Sequence, residues 1–85
     1  MSKQKTLVAS PFEDDAAEIL NWAYGNEARE MFYMYLSGDQ RVGQAFMNTL
    51  CAFDGAEYDR LSGSLADPFY QDNKLPAAID RLTMK

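Results

Sequence analysis

The chain has 85 residues, a formal net charge of −5 and 47% hydrophobic residues, enough for one domain and no more. Thirteen acids against eight bases repel a phosphate backbone on average, which disfavours direct nucleic-acid binding. Cys51 is the single cysteine, which excludes an intramolecular disulfide and the framework of small secreted domains.

Residues 1–9 read as a flexible amino-terminal arm ahead of a helical domain spanning 10–85. The run Thr6-Leu7-Val8-Ala9 is far shorter than a signal-peptide core or a membrane span, so a cytoplasmic protein with no membrane segment is the expectation. Ser10-Pro11-Phe12-Glu13 holds the parts of a capping box, and Asp14 and Asp15 suit the positive end of a helix dipole. The spacing predicts a helix over 11–24, with Phe12, Ala16, Ile19, Leu20 and Ala23 inward and Gly25 as its stop. Asn26 reads as the cap of a second helix through Ser37, ended by Gly38, with Ala28, Met31, Phe32, Tyr35 and Leu36 on its inner face. Because Tyr33 and Met34 point elsewhere, this helix is apolar most of the way round, which suits a central helix or an interface.

Asp39 reads as the cap of a third helix over 40–53, whose buried stripe is Val42, Ala45, Phe46, Thr49, Leu50 and Phe53. Asp54-Gly55 then turns the chain into a shorter helix over 56–61, with Tyr58 and Leu61 inward. Residues 62–76 are irregular, with one helical turn expected from Asp67-Pro68 through Phe69-Tyr70, and Pro76 starts a last helix whose Ala78, Ile79 and Leu82 meet the core. No stretch alternates with period two. The fold class expected is all-α, a single small domain of four to five short helices with no substantial sheet.

The missing residue types narrow the chemistry. Without histidine the chain lacks the usual base near neutral pH and the commonest zinc ligand, and neither a Ser-His nor a Cys-His nucleophile pair can be built. Five scattered glycines form no phosphate-cradling loop, and no EF-hand spacing occurs. No catalytic residue, metal site or cofactor is expected. Glu13, Asp14 and Asp15 are the one enzymatic alternative left, a carboxylate group for a divalent cation or acid-base work, but capping and the dipole already explain them. Glu57, Asp59 and Arg60 read as a solvated face. Cys51 falls on the outer side of the third helix as a structural cysteine without an evident cationic neighbour.

Three surfaces remain as binding candidates. Arg41, Gln44 and Asn48 recur at spacings of three and four, offering a guanidinium fork and two amides in one row. The alternatives are plain solvation, or hydrogen bonds from Arg41 or Asn48 that tie down the 62–74 segment. Asp67-Pro68-Phe69-Tyr70 pairs turn chemistry with two aromatics, with Phe69 expected to plug the core and Tyr70 left open. Trp22, Tyr24, Tyr33 and Met34 form an aromatic surplus suited to an interface, or to a core wider than these stripes.

Arg41-Val42-Gly43-Gln44-Ala45-Phe46-Met47-Asn48, followed by Asp67-Pro68-Phe69-Tyr70 and Asp72, resembles a pattern in small uncharacterised proteins of bacteriophages, prophages and related mobile elements. The resemblance covers the second half of the chain. It implies an origin, and by analogy a protein that binds and blocks a host protein such as a defence factor. The expected function is a non-enzymatic protein-interaction module, in the form of such an inhibitor, with a host or phage protein as partner and a homo-oligomer as a further option. A small-ligand sponge using Arg41, Gln44 and Asn48, and a structural or assembly component, are the alternatives.

Overall fold

The structure, a computed structural model, describes residues 12–84. Among them are five α-helices and no strand: α1 (Glu13–Tyr24), α2 (Asn26–Ser37), α3 (Val42–Phe53), α4 (Gly55–Leu61) and α5 (Leu75–Thr83), with a 3₁₀ turn (Asp72–Lys74) before α5. The fold is all-α and forms one small domain. The proposed arm at residues 1–9 and the Ser10-Pro11 cap lie outside the described residues.

α1 begins at Glu13, two residues inside the expected start, with the Phe12 carbonyl accepting the Ala16 N–H at 2.9 Å. Its buried face is Ala16, Ala17 and Leu20. Ala23 has the angular position of Ala16, but it sits in the last turn past the edge of the core and is exposed, contrary to expectation. One residue, Gly25, separates α1 from α2. Its φ of 99° and ψ of 177° lie in a region open essentially to glycine alone. The Gly25 N–H donates to the Asn21 carbonyl at 2.9 Å and its own carbonyl accepts from Ala28 at 3.2 Å, so this residue closes one helix and opens the next. The expected Asn26 cap is therefore not used. Asn26 is already helical, and its amide donates to Glu30 Oε2 at 2.9 Å.

α2 ends at Ser37 as expected, but Gly38 keeps a negative φ of −90° and the left-handed position falls on Asp39, at φ 73°. Aspartate tolerates that conformation better than most L-residues. Asp39 thus ends α2 rather than capping α3, for which Arg41 is the flanking residue.

The central helix is α3, not α2. α2 fully buries only Ala28 and Phe32, whereas α3 buries Val42, Gly43, Ala45, Phe46, Met47, Thr49 and Leu50. α2, α4 and the 3₁₀ turn all pack against α3, while α5 returns to α1. That encirclement explains why Met47, outside the expected stripe, is buried. Thr49 is satisfied inside the core by donating to the Ala45 carbonyl at 2.8 Å.

Leu61, Leu75, Ala78 and Leu82 complete the core from α4 and α5, with Pro76 in the first turn of α5. The helical turn expected after Asp67-Pro68 does not form. Asp67 instead accepts from the Phe69 N–H at 2.9 Å and the Gly63 N–H at 2.7 Å, holding the segment as a capped loop. Pro68 is the buried plug, and Phe69 is only half-buried against the core.

Gly43 is where this loop meets the central helix. A Cβ there would run into the Pro68 carbonyl oxygen and lie 2.9 Å from Asp72 Oδ1. Helix propensity alone favours Gly43→Ala by about 1 kcal/mol. The expected outcome has the opposite sign, a loss of about 1–3 kcal/mol in urea unfolding, because the loop backbone must move. Gly55→Ala is the control, since a Cβ there meets nothing within 4 Å, and it leaves the unfolding midpoint unchanged or raised.

Candidate functional site

The two halves of the sequence pattern meet at the amino end of α3. Arg41 Nη2 donates to the Phe69 carbonyl at 2.6 Å, and Nη1 reaches Asp72 Oδ1 at 3.3 Å. The Gly43 N–H donates to the same Asp72 oxygen at 3.0 Å. A carboxylate from a distant segment therefore satisfies one of the orphan N–H groups of this helix start, where the dipole favours negative charge.

The expected row of Arg41, Gln44 and Asn48 is thus largely engaged within the molecule. Arg41 ties down the loop over 62–74, one of the two structural alternatives. Asn48 is half-buried and donates to Gln40 Oε1 at 2.8 Å, turning away from that loop. Gln44 is half-buried between them. Tyr70 projects next to this clamp, 80% exposed, with its ring edge-on to Phe69 at 4.8 Å.

Tyr33 belongs to another surface. It is half-buried, its ring lies 5.6 Å from that of Phe32, and Arg29 stands 5.4 Å from its centroid. Burial first, then the negative charges of Asp14 and Glu13, raise its hydroxyl pKa above the ordinary phenol value. The structure therefore does not gather the five candidate residues into one site.

The aromatic surplus divides. Tyr24 packs on Phe53, with ring centroids 6.3 Å apart, and its hydroxyl donates to Asp54 Oδ2 at 2.6 Å. Trp22 and Met34 remain outside, 67% and 60% exposed. Trp22 lines a shallow groove of about 290 Å³ together with Asp15, Glu18 and Ile19 of α1 and Ile79 of α5. Residues 15, 18, 19 and 22 follow the i, i+3, i+4, i+7 spacing of one helix face, a signal visible in the sequence. Only the tertiary pairing of α1 with α5 adds Ile79 to it.

Glu57 departs from the expected solvated face. It is 2% exposed, held by Arg60 Nη2 at 2.6 Å and Arg81 Nε at 3.6 Å. Its N–H donates to Asp54 Oδ1 at 3.2 Å, so Asp54 caps α4 while also receiving Tyr24. This is a structural node joining α1, α4 and α5.

Cys51 is exposed, as its place on the outer side of α3 implied. Among the described residues no group of three or more His, Cys, Asp or Glu side chains could hold a metal ion, and no helix is long and apolar enough to cross a membrane. No protein-family model matches the chain, and no curated protein or solved structure matches it significantly.

Two outcomes test this geometry. Asp72→Ala removes the carboxylate from both Gly43 and Arg41 and lowers stability by about 1–2 kcal/mol in urea unfolding, as loss of a helix cap does. Burial first, then the hydrogen bond to Asp54, raises the Tyr24 pKa far above its ordinary value of 10.0. In the unfolded chain the phenol ionises at that ordinary value, so the contribution of Tyr24 is full below pH 10.0 and is lost as pH rises beyond it. Tyr24→Phe lowers stability at neutral pH by about 1 kcal/mol and flattens the alkaline fall in melting temperature.

Proposed function

We propose that the protein is a non-enzymatic protein-interaction module of the cytoplasm, encoded by a mobile element and acting as an inhibitor of a host or defence protein. The observation that carries this reading is the amount of large apolar side chain left in solvent on so small a fold: Trp22, Met34, Leu65, Tyr70 and Met84 are all exposed. Single exposed leucines need no explanation, but an exposed tryptophan and tyrosine on fixed elements are the residue types that dominate binding energy when a partner covers them. Trp22 stands on a regular helix, and Tyr70 on a loop pinned by Arg41 and Asp67, so both are offered at little further cost in chain entropy. The resemblance of the 41–48 and 67–72 segments to mobile-element proteins supports the kind of partner.

Use of Arg41 as an anion fork in a small-ligand site is weakened by its bonds to Phe69 and Asp72. The test is affinity capture from bacterial lysate with the tagged protein and its Trp22→Ala and Tyr70→Ala variants, read by mass spectrometry. The expected outcome is one stoichiometric partner that is lost or reduced at least tenfold in a variant whose melting temperature is unchanged. Absence of any partner, together with turnover of a substrate by the purified protein, overturns the reading.

A further inference from the structure

We propose that the α1–α5 groove is a docking site for a basic amphipathic helix, one that presents an apolar row flanked by lysine or arginine. This rests on the interaction-module reading and names the surface and the chemistry of its partner.

The groove lining is apolar at Ile19 and Trp22 of α1 and Ile79 of α5, and acidic at Asp15 and Glu18. None of these five lining residues is basic. On α1 the stripe from residue 15 to residue 22 runs about 10 Å along the axis, two turns, which is the length over which a partner helix presents two or three anchors. Two helices wall the groove, so a third lies into it as helices lie on one another. An apolar floor alone would accept a second copy of this chain, but charge decides against that occupant. An isologous pairing would bring two copies of the Asp15 and Glu18 flank into one interface in a chain of net charge −5, whereas a basic helix meets the same carboxylates with complementary sign.

Trp22 is the only tryptophan, so its fluorescence reports on the groove directly. The experiment is a titration of the full-length protein with a designed fourteen-residue helical peptide of leucine and lysine, leucines on one face, at two salt concentrations. The expected result is a saturable blue shift of Trp22 emission that weakens with salt. Asp15→Asn/Glu18→Gln raises the dissociation constant at least tenfold, whereas Glu27→Gln/Asp59→Asn, which removes the same charge outside the groove, changes it less than threefold. Each pair includes an acid in the first turn of a helix, so the cost to folding is matched and is checked by melting.

Equal weakening in both pairs, or no blue shift, overturns the proposal. A blue shift on concentrating the protein alone assigns the groove to a second copy and overturns it too. So does a red shift of the free protein on Lys3→Gln/Lys5→Gln, which would assign it to the chain's own first residues. Capture of a lysate partner that survives Asp15→Asn/Glu18→Gln overturns this site while leaving the interaction-module reading standing. Absence of any partner for the unaltered protein, together with turnover of a substrate, removes both.

Discussion

The approach of the Pro68 carbonyl to the Cα of Gly43 is the constraint around which the rest of this fold is arranged. α3 runs through the middle of the core, and its first turn must come close to a loop that has no regular backbone pairing of its own. Glycine removes the side chain that would hold the two apart. Asp72 then replaces a local cap with a carboxylate from the far side of the loop, and Arg41 bridges that carboxylate to the Phe69 carbonyl. Each piece depends on the others: without the close approach the carboxylate would not reach the helix start, and without Asp67 and Pro68 the loop would not present its backbone there.

A second polar node does for the other end of the molecule what this clamp does for the loop. Glu57 is almost completely buried, which is tolerable for a carboxylate only with partners of opposite charge and with hydrogen bonds. Arg60 and Arg81 supply the charge from the solvent side, keeping their own side chains about half exposed, while Asp54 organises the backbone of α4 and receives the Tyr24 hydroxyl. Among the described residues no buried side-chain polar atom is left without a hydrogen-bond partner. These contacts link α1, α4 and α5 through side chains that are fully partnered.

Much of the fold was legible in the sequence because helix periodicity is a local property. The apolar spacing of α3, the glycine break at residue 25, the Asp54-Gly55 boundary and the proline at the start of α5 all follow from residues within one or two turns of each other. What escaped were the choices that a distant segment makes. Asp39 has the composition of a helix cap, yet it adopts a left-handed turn set by the join between α2 and α3. Glu57 has the pattern of a surface residue, yet it is 2% exposed, with Arg81 of α5 joining the local Arg60 at its carboxylate. The Arg41 row was visible as spacing, but the partners that engage it lie near residue 70 and could be named in the sequence only as one alternative among three. The acidic-apolar stripe of α1 was equally visible as spacing, yet its meaning waited on Ile79.

The return of α5 to α1 has a consequence for folding as well as for shape. Most helices here pack against the next one in the chain, contacts that close early because little loop entropy opposes them, whereas α5 pairs with α1 across almost the whole domain. Ile79 joins Ile19 and Trp22 in the groove only where α5 packs on α1. The groove therefore requires α5 to be packed on α1. It is a surface that certifies completion, so a partner that recognises both of its walls would distinguish finished molecules from nascent or unravelling ones and, by binding, would hold the two most distant helices of the domain together.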